Sequence, residues 1–325
     1  VEGAAGGSVI ESGGDDNILS GGVASGDVVD DGGFLTVQLG GTLTDETVRS
    51  GGTLQFTGEV TRDLTAGPQA SATVFAGATI SSGGNLDLEG ATVLSGVTLT
   101  LAAQTGNTAN SNGTLTVNSG GVLLGPGDLG SADPPHPGGF ADVFGAATGV
   151  TAQAMTLQSG RTASDVTVAL GLIQIGAGGY GVGTVLAAGA GEFVSSGGVA
   201  VGTVFSGADG YEYVLSSGTA TGTVITDGDL QLVSAGGVAS ATLVSQGREY
   251  VEGLVISARL SGPLSNEEVF AGGLASDTTL LAGGILDIDS GGLASATLVS
   301  SGGVVIRLGG AARQTTLLSG GDELV

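Results

Sequence analysis

Short runs with one polar residue between two apolar ones recur along the chain. Examples are Leu86-Asp87-Leu88, Ile173-Gln174-Ile175, Tyr211-Glu212-Tyr213, Leu230-Gln231-Leu232, Leu286-Asp287-Ile288 and Ile306-Arg307-Leu308. A period of two is the signature of a half-buried strand. The runs predict an inner ladder of Ile175, Phe193, Tyr213, Leu232, Tyr250, Val269, Ile288 and Leu308. They predict an outer ladder of Gln174, Glu192, Glu212, Gln231, Glu249, Glu268, Asp287 and Arg307.

Between these runs one phrase keeps returning, Gly-Gly-x-Ala-x-x-Thr-(Val/Leu)-x-Ser-x-Gly. It is clearest at Gly198–Thr203, Gly237–Thr242 and Gly292–Thr297. Its threonine column reads Thr184, Thr203, Thr223, Thr242, Thr278, Thr297 and Thr315, in steps of 19, 20, 19, 36, 19 and 18. The long step is two units of 18, with a degenerate copy near Leu260. Ser8, Asp27, Thr47, Thr73 and Thr92 continue the column upstream. A βαβ unit needs about 30 residues, so a period near 19 is too short for one. It suits one coil of a solenoid whose equivalent strands pair in parallel.

The expected fold is therefore all-β, a right-handed parallel β-helix (β-solenoid) of about 19 residues per coil; the hand follows the strong preference of parallel crossovers. At about 4.8 Å per coil, about 17 coils make a rod roughly 80 Å long. The alanine column Ala200, Ala220, Ala239, Ala275, Ala294 and Ala312 fits a tight corner, and Ser-Gly-Gly supplies positive φ for sharp turns. Two places break the pattern: residues 57–72, with Pro68, and residues 125–150, with Pro126, Pro134, Pro135 and Pro137. Proline cannot donate to a ladder. The expected organisation is a β-helix over 1–124, a Pro/Gly-rich excursion over 125–150, and the same solenoid continuing over 151–325.

Composition narrows the chemistry. Glycine supplies 66 of 325 residues without a triplet repeat, which excludes collagen and disfavours long helices. Hydrophobic residues at 41% are too many for a disordered linker. The net charge of −24 repels nucleic acid and anionic membrane surfaces. The uncharged stretch from Val166 to Gly191 carries the repeat phrase and many glycines, so it is a set of coils and not a membrane span. The chain opens inside a repeat-like phrase, as a mature product or an excised segment does.

With no cysteine and a single histidine, His136, in a proline-rich loop and read as a solvated loop residue, classical zinc sites and histidine-based triads are effectively excluded. No enzyme and no cofactor are expected. Calcium is the one small ligand the acidic residues suit, at Asp15-Asp16, Asp30-Asp31 or Glu267-Glu268. The calcium-roll nonapeptide is missing, and acidic turns facing water are the simpler reading. Single threonines followed by Val or Leu do not form the paired rows of an ice-binding face.

The phrases Ser196–Val204, Ala235–Val244 and Ser290–Val299 resemble the repeats of AIDA/antigen-43-type autotransporter adhesin passengers. The resemblance covers most of the chain and weakens between positions 100 and 155. It implies a non-catalytic right-handed β-helix, extracellular or on the outer surface of a Gram-negative bacterium. It also implies self-association or adhesion to host or matrix surfaces, and sugar on repeat serines such as Ser195, Ser206, Ser245 and Ser300. The alternative is a structural subunit of an extracellular filament or surface layer, built by end-to-end stacking of coils. The partner is then another copy, lateral or head to tail, with no nucleic acid and no membrane insertion by this segment. Lateral contacts are expected at Glu212, Gln231, Glu249 and Asp287 of the outer ladder, and terminal ones at Val1, Glu2, Leu324 and Val325. Lateral association of such acidic chains should strengthen with salt or calcium.

Overall fold

A computed structural model describes residues 3–88, 90–102, 114–125, 128–129, 140–143, 145–307 and 309–325. The expected contacts at Val1 and Glu2, the position of His136 and the inner-ladder site Leu308 lie outside these residues, as does part of 125–150. The chain forms two compact units, Val1–Gln153 and Ala154–Val325.

In the second unit, strands from Ala154–Leu157 through Tyr211–Val214 to Asp322–Leu324 each pair in parallel with the equivalent strand one turn on. Ile175, Val194, Val214, Val233, Val251, Val269, Ile288 and Ile306 are successive partners, one per coil. A second ladder of short strands carries the alanine column, from Ala200 through Ala220 and Ala239 to Ala275 and Ala294, essentially without exposure. A third ladder stacks Leu186, Phe205, Ile225, Val244, Leu260, Leu280 and Val299 inward. Each turn thus has three short strands, and these ladders define a parallel β-solenoid. The uncharged stretch 166–191 is a run of such strands, and among the described residues no helix is long and apolar enough to cross a membrane.

The turns explain the paired glycines. Gly272 has φ +87° and makes the corner; Gly273 lies so close to the preceding coil that a Cβ there would stand 2.1 Å from the Val251 carbonyl oxygen. One glycine is needed for its backbone angle and the next for its missing side chain.

The first unit starts in the same way. Asp15–Ile18, Phe34–Val37 and Thr53–Phe56 stack in parallel, one strand per coil. The next partner of Thr53 is Asn85, a step well beyond one coil length. The expected break at 57–72 falls within this step, yet Glu59–Val60 and Leu64–Ala66 keep parallel partners in Thr92–Val93 and Leu99–Leu101. Thr73–Phe75 and Ala78–Ile80 form an antiparallel hairpin, and Leu64–Pro68 pairs antiparallel with Asn85–Asp87 through Gly67 and Pro68. The upstream threonine column is corrected here. Thr47 pairs with Val28, so Asp27 is opposite Glu46, and Thr73 sits in the hairpin.

The degenerate copy of the long step is also located. Arg259 N–H bonds the Thr242 carbonyl and Thr279 N–H bonds the Ala258 carbonyl, so Ala258 fills the threonine position. The long step therefore divides unevenly, with the shorter coil first.

Candidate functional site

The strand Tyr211–Val214 decides which face is which. Glu212 and Val214 are buried, while Tyr211 and Tyr213 are half-buried on the outside. The same parity holds in Gly191–Val194, Leu230–Val233, Arg248–Val251 and Asn266–Val269. The expected ladders are therefore exchanged over the first four of these coils and kept at Asn266–Val269, with Glu268 outside and Val269 inside. Glu192, Glu212, Gln231 and Glu249 point into the core, and Phe193, Tyr213, Leu232 and Tyr250 point out. A one-residue change of parity moves every side chain of a strand to the other face. The surface contacts expected at Glu212, Gln231 and Glu249 are corrected accordingly, since these residues have no exposed area. Gln174, Glu268 and Asp287 do face outward, as do their register partners Phe193 and Tyr250.

The inward column runs Ile173, Glu192, Glu212, Gln231, Glu249, Glu267, Leu286 and Val304. Buried threonines from the corner before the third ladder face it. Thr203 Oγ1 donates to Glu192 Oε2 at 2.6 Å, Thr223 Oγ1 to Glu212 Oε2 at 2.9 Å, Thr242 Oγ1 to Gln231 Oε1 at 3.1 Å and Thr278 Oγ1 to Glu267 Oε2 at 3.0 Å. Gln231 Nε2 also donates to Glu212 Oε2. The threonine column therefore bonds across the interior to side chains of its own coil. Among the described residues, both oxygens of Glu249, and Oε1 of Glu192, Glu212 and Glu267, are buried without a partner.

Burial raises the pKa of all four glutamates. For Glu192 it is well above the ordinary range, with the Glu212 charge adding to the desolvation; for Glu249 it is also well above, with the Glu267 charge adding. Glu212 is raised, and Glu267 is pushed up to about 7. Each is a carboxyl in an apolar medium, where the charged form is the costly one.

Outside, the same coils carry a strip of half-buried Phe193, Tyr211, Tyr213, Leu230, Leu232 and Tyr250. Phe193 and Tyr213 stack with ring centres 5.2 Å apart and planes 11° from parallel. Tyr211 tilts against Tyr213 at 5.1 Å and covers Gly191, where a Cβ would meet its ring at 2.3 Å. Tyr250 meets Phe270 edge-on at 5.5 Å. No charged side chain interrupts the strip from Phe193 to Leu232.

The calcium candidates do not converge. Asp15 and Asp16 are successive residues of one strand, as are Glu267 and Glu268, so each pair projects to opposite faces. Glu267 is in the core and Glu268 is outside. Asp30 pairs with Arg49 at 2.8 Å, and Asp31 packs over Gly51 of the next coil. Among the described residues no three His, Cys, Asp or Glu side chains gather as metal ligands. Asp287 accepts from Arg307 Nε at 3.0 Å. Leu324 ends an exposed strand and Val325 follows it, also exposed. Ser206 is exposed, and Ser195, Ser245 and Ser300 are half-buried.

Sequence reasoning missed both features for one reason: in x-Glu-Tyr-Val the apolar residues fit either parity. The fourth position held the signal, because Val194, Val214, Val233, Val251 and Val269 never depart from valine.

The strand registers establish the class, a parallel β-solenoid. No family description and no curated protein matches the sequence. Among solved structures the chain is similar to the TibC-catalyzed hyper-glycosylated fragment of TibA, with 24% identity over 99% of this chain and 97% of that one and a TM-score of 0.46.

Proposed function

We propose that the protein is a non-catalytic adhesive β-solenoid of a Gram-negative outer surface that associates laterally with further copies of itself. The observation that carries this reading is the exterior strip from Phe193 to Tyr250. Contiguous aromatic and aliphatic side chains left open on a protein surface mark an interaction face. In a chain of net charge −24, this strip is where two copies approach with least repulsion. Aromatic side chains are also enriched where protein surfaces meet. The repeat phrases, with their resemblance to autotransporter adhesin passengers, support the same reading.

Light scattering and sedimentation of the purified chain over a salt series test the proposal. Association is expected to grow with salt as the acidic surfaces are screened, and to be lost in a Tyr213→Ser, Leu232→Ser double variant of unchanged circular dichroism. A chain that stays monomeric at every salt concentration, or a variant that associates as the parent does, overturns it.

A further inference from the structure

The four glutamates inside the second unit are out of reach of any adhesive contact, and their placement is costly. A buried ionised carboxylate without a partner is among the least favourable groups in a protein. None of the faces around the file brings a cation among the described residues. The second ladder offers Ala200, Ala220, Ala239, Val255 and Ala275, and the third offers Phe205, Ile225, Val244, Leu260 and Leu280. The corners offer the hydroxyls of Thr184, Thr203, Thr223, Thr242 and Thr278. Of the other acids, Glu268 follows Glu267 but faces outward, and buried Asp229 is held at a turn by the Gly210 N–H at 2.8 Å. The basic residues of these coils, Arg248 and Arg259, are exposed.

The other occupants of the column are informative. They are Ile173, Gln231, Leu286 and Val304, all neutral, and Gln231 is the near-isostere of a protonated glutamate. Gln231 stands between Glu212 and Glu249 and bonds the first.

We infer that the file is a proton-binding site: Glu192, Glu212, Glu249 and Glu267 are carried into the folded coils as neutral acids, so the second unit is held together in acid and loosened by alkali. The sign follows from linkage. These groups have folded pKa values above the unfolded value, so their contribution is complete below the ordinary glutamate range. It is lost as pH rises through the folded values, which for Glu267 means about 7 and for Glu192 and Glu249 well above the ordinary range. Each carboxyl protonated in the fold and ionised in the unfolded chain multiplies the unfolding equilibrium about tenfold per pH unit. Surface carboxylates are already ionised above about pH 6 and add no such slope. The inference is independent of adhesion, because it concerns the interior of a single chain.

The test is urea unfolding of the full chain from about pH 5 to about pH 9, followed by tyrosine fluorescence and far-ultraviolet circular dichroism. The parent and a Glu192→Gln, Glu212→Gln, Glu249→Gln, Glu267→Gln variant are compared, each with calcium and with a chelator. The parent midpoint is expected to fall steadily with pH, and the variant midpoint to stay level. Should the fourfold variant not fold, Glu249→Gln alone is expected to remove about one tenfold step per pH unit. An equal fall in parent and variants, or a level parent, overturns the inference. So does a parent that calcium stabilises at alkaline pH while the variant is indifferent, since the file would then hold a cation.

Discussion

Replacing Gly273 by alanine tests the account of the paired glycines. The new Cβ would stand 2.1 Å from the Val251 carbonyl oxygen, whereas ordinary contact begins at 3.4 Å, so the two coils must part locally by about 1.3 Å. That carbonyl accepts the Phe270 N–H at 2.9 Å, and the Leu274 N–H reaches the Gly253 carbonyl at 2.9 Å. A displacement of that size takes both bonds beyond hydrogen-bond reach. Two backbone bonds at about 1 kcal/mol each, added to about 1–3 kcal/mol of overpacking, give roughly 3–5 kcal/mol for Gly273→Ala. The neighbouring Gly272→Ala is the control: a Cβ there meets nothing within 4 Å, and only φ +87° opposes it, at roughly 1–2 kcal/mol. Urea unfolding read by tyrosine fluorescence suits the assay, because Tyr250 lies in the neighbouring coil and the chain has no tryptophan. If Gly272→Ala proved as damaging as Gly273→Ala, close approach between coils would not be the reason for the second glycine.

Thr278→Val removes the hydroxyl bonded to Glu267 Oε2 while keeping its shape, and should cost about 1–3 kcal/mol. Because that bond lowers the Glu267 pKa, its loss should raise the pKa further, which a carboxyl titration by nuclear magnetic resonance would detect. Ile288→Ala empties a fully buried position in the inner column and should cost about 2–5 kcal/mol in thermal unfolding. A loss within experimental error would mean that the coils collapse to fill the space.

Much of the fold was legible from residue spacing. A period near 19 left no room for a helix in each repeat, and Ala200, Ala220 and Ala239 fell on one buried column as their spacing required. The irregularity at 57–72 was visible through its lost repeat and Pro68. That Leu64–Ala66 would stay in a parallel ladder while the hairpin fell just after, at 73–80, was not, because a broken pattern does not say where its pieces pair.

What the sequence by itself determined was the coil: short strands, glycine corners and a nearly constant length of chain per turn, since these follow from local preferences repeated many times. The tertiary structure alone decided which side of each strand is the inside. Tyr211-Glu212-Tyr213-Val214 alternates equally well in either parity, and hydropathy favours burying the tyrosines. The coil cross-section overrules that preference. Valine at the fourth position is fully buried, stacked rings fit outside where adjacent coils let them overlap, and the interior accepts glutamate because threonine hydroxyls donate to it there. Steric room, and hydrogen bonding between residues far apart in sequence, are properties of the closed coil, and no single strand contains them.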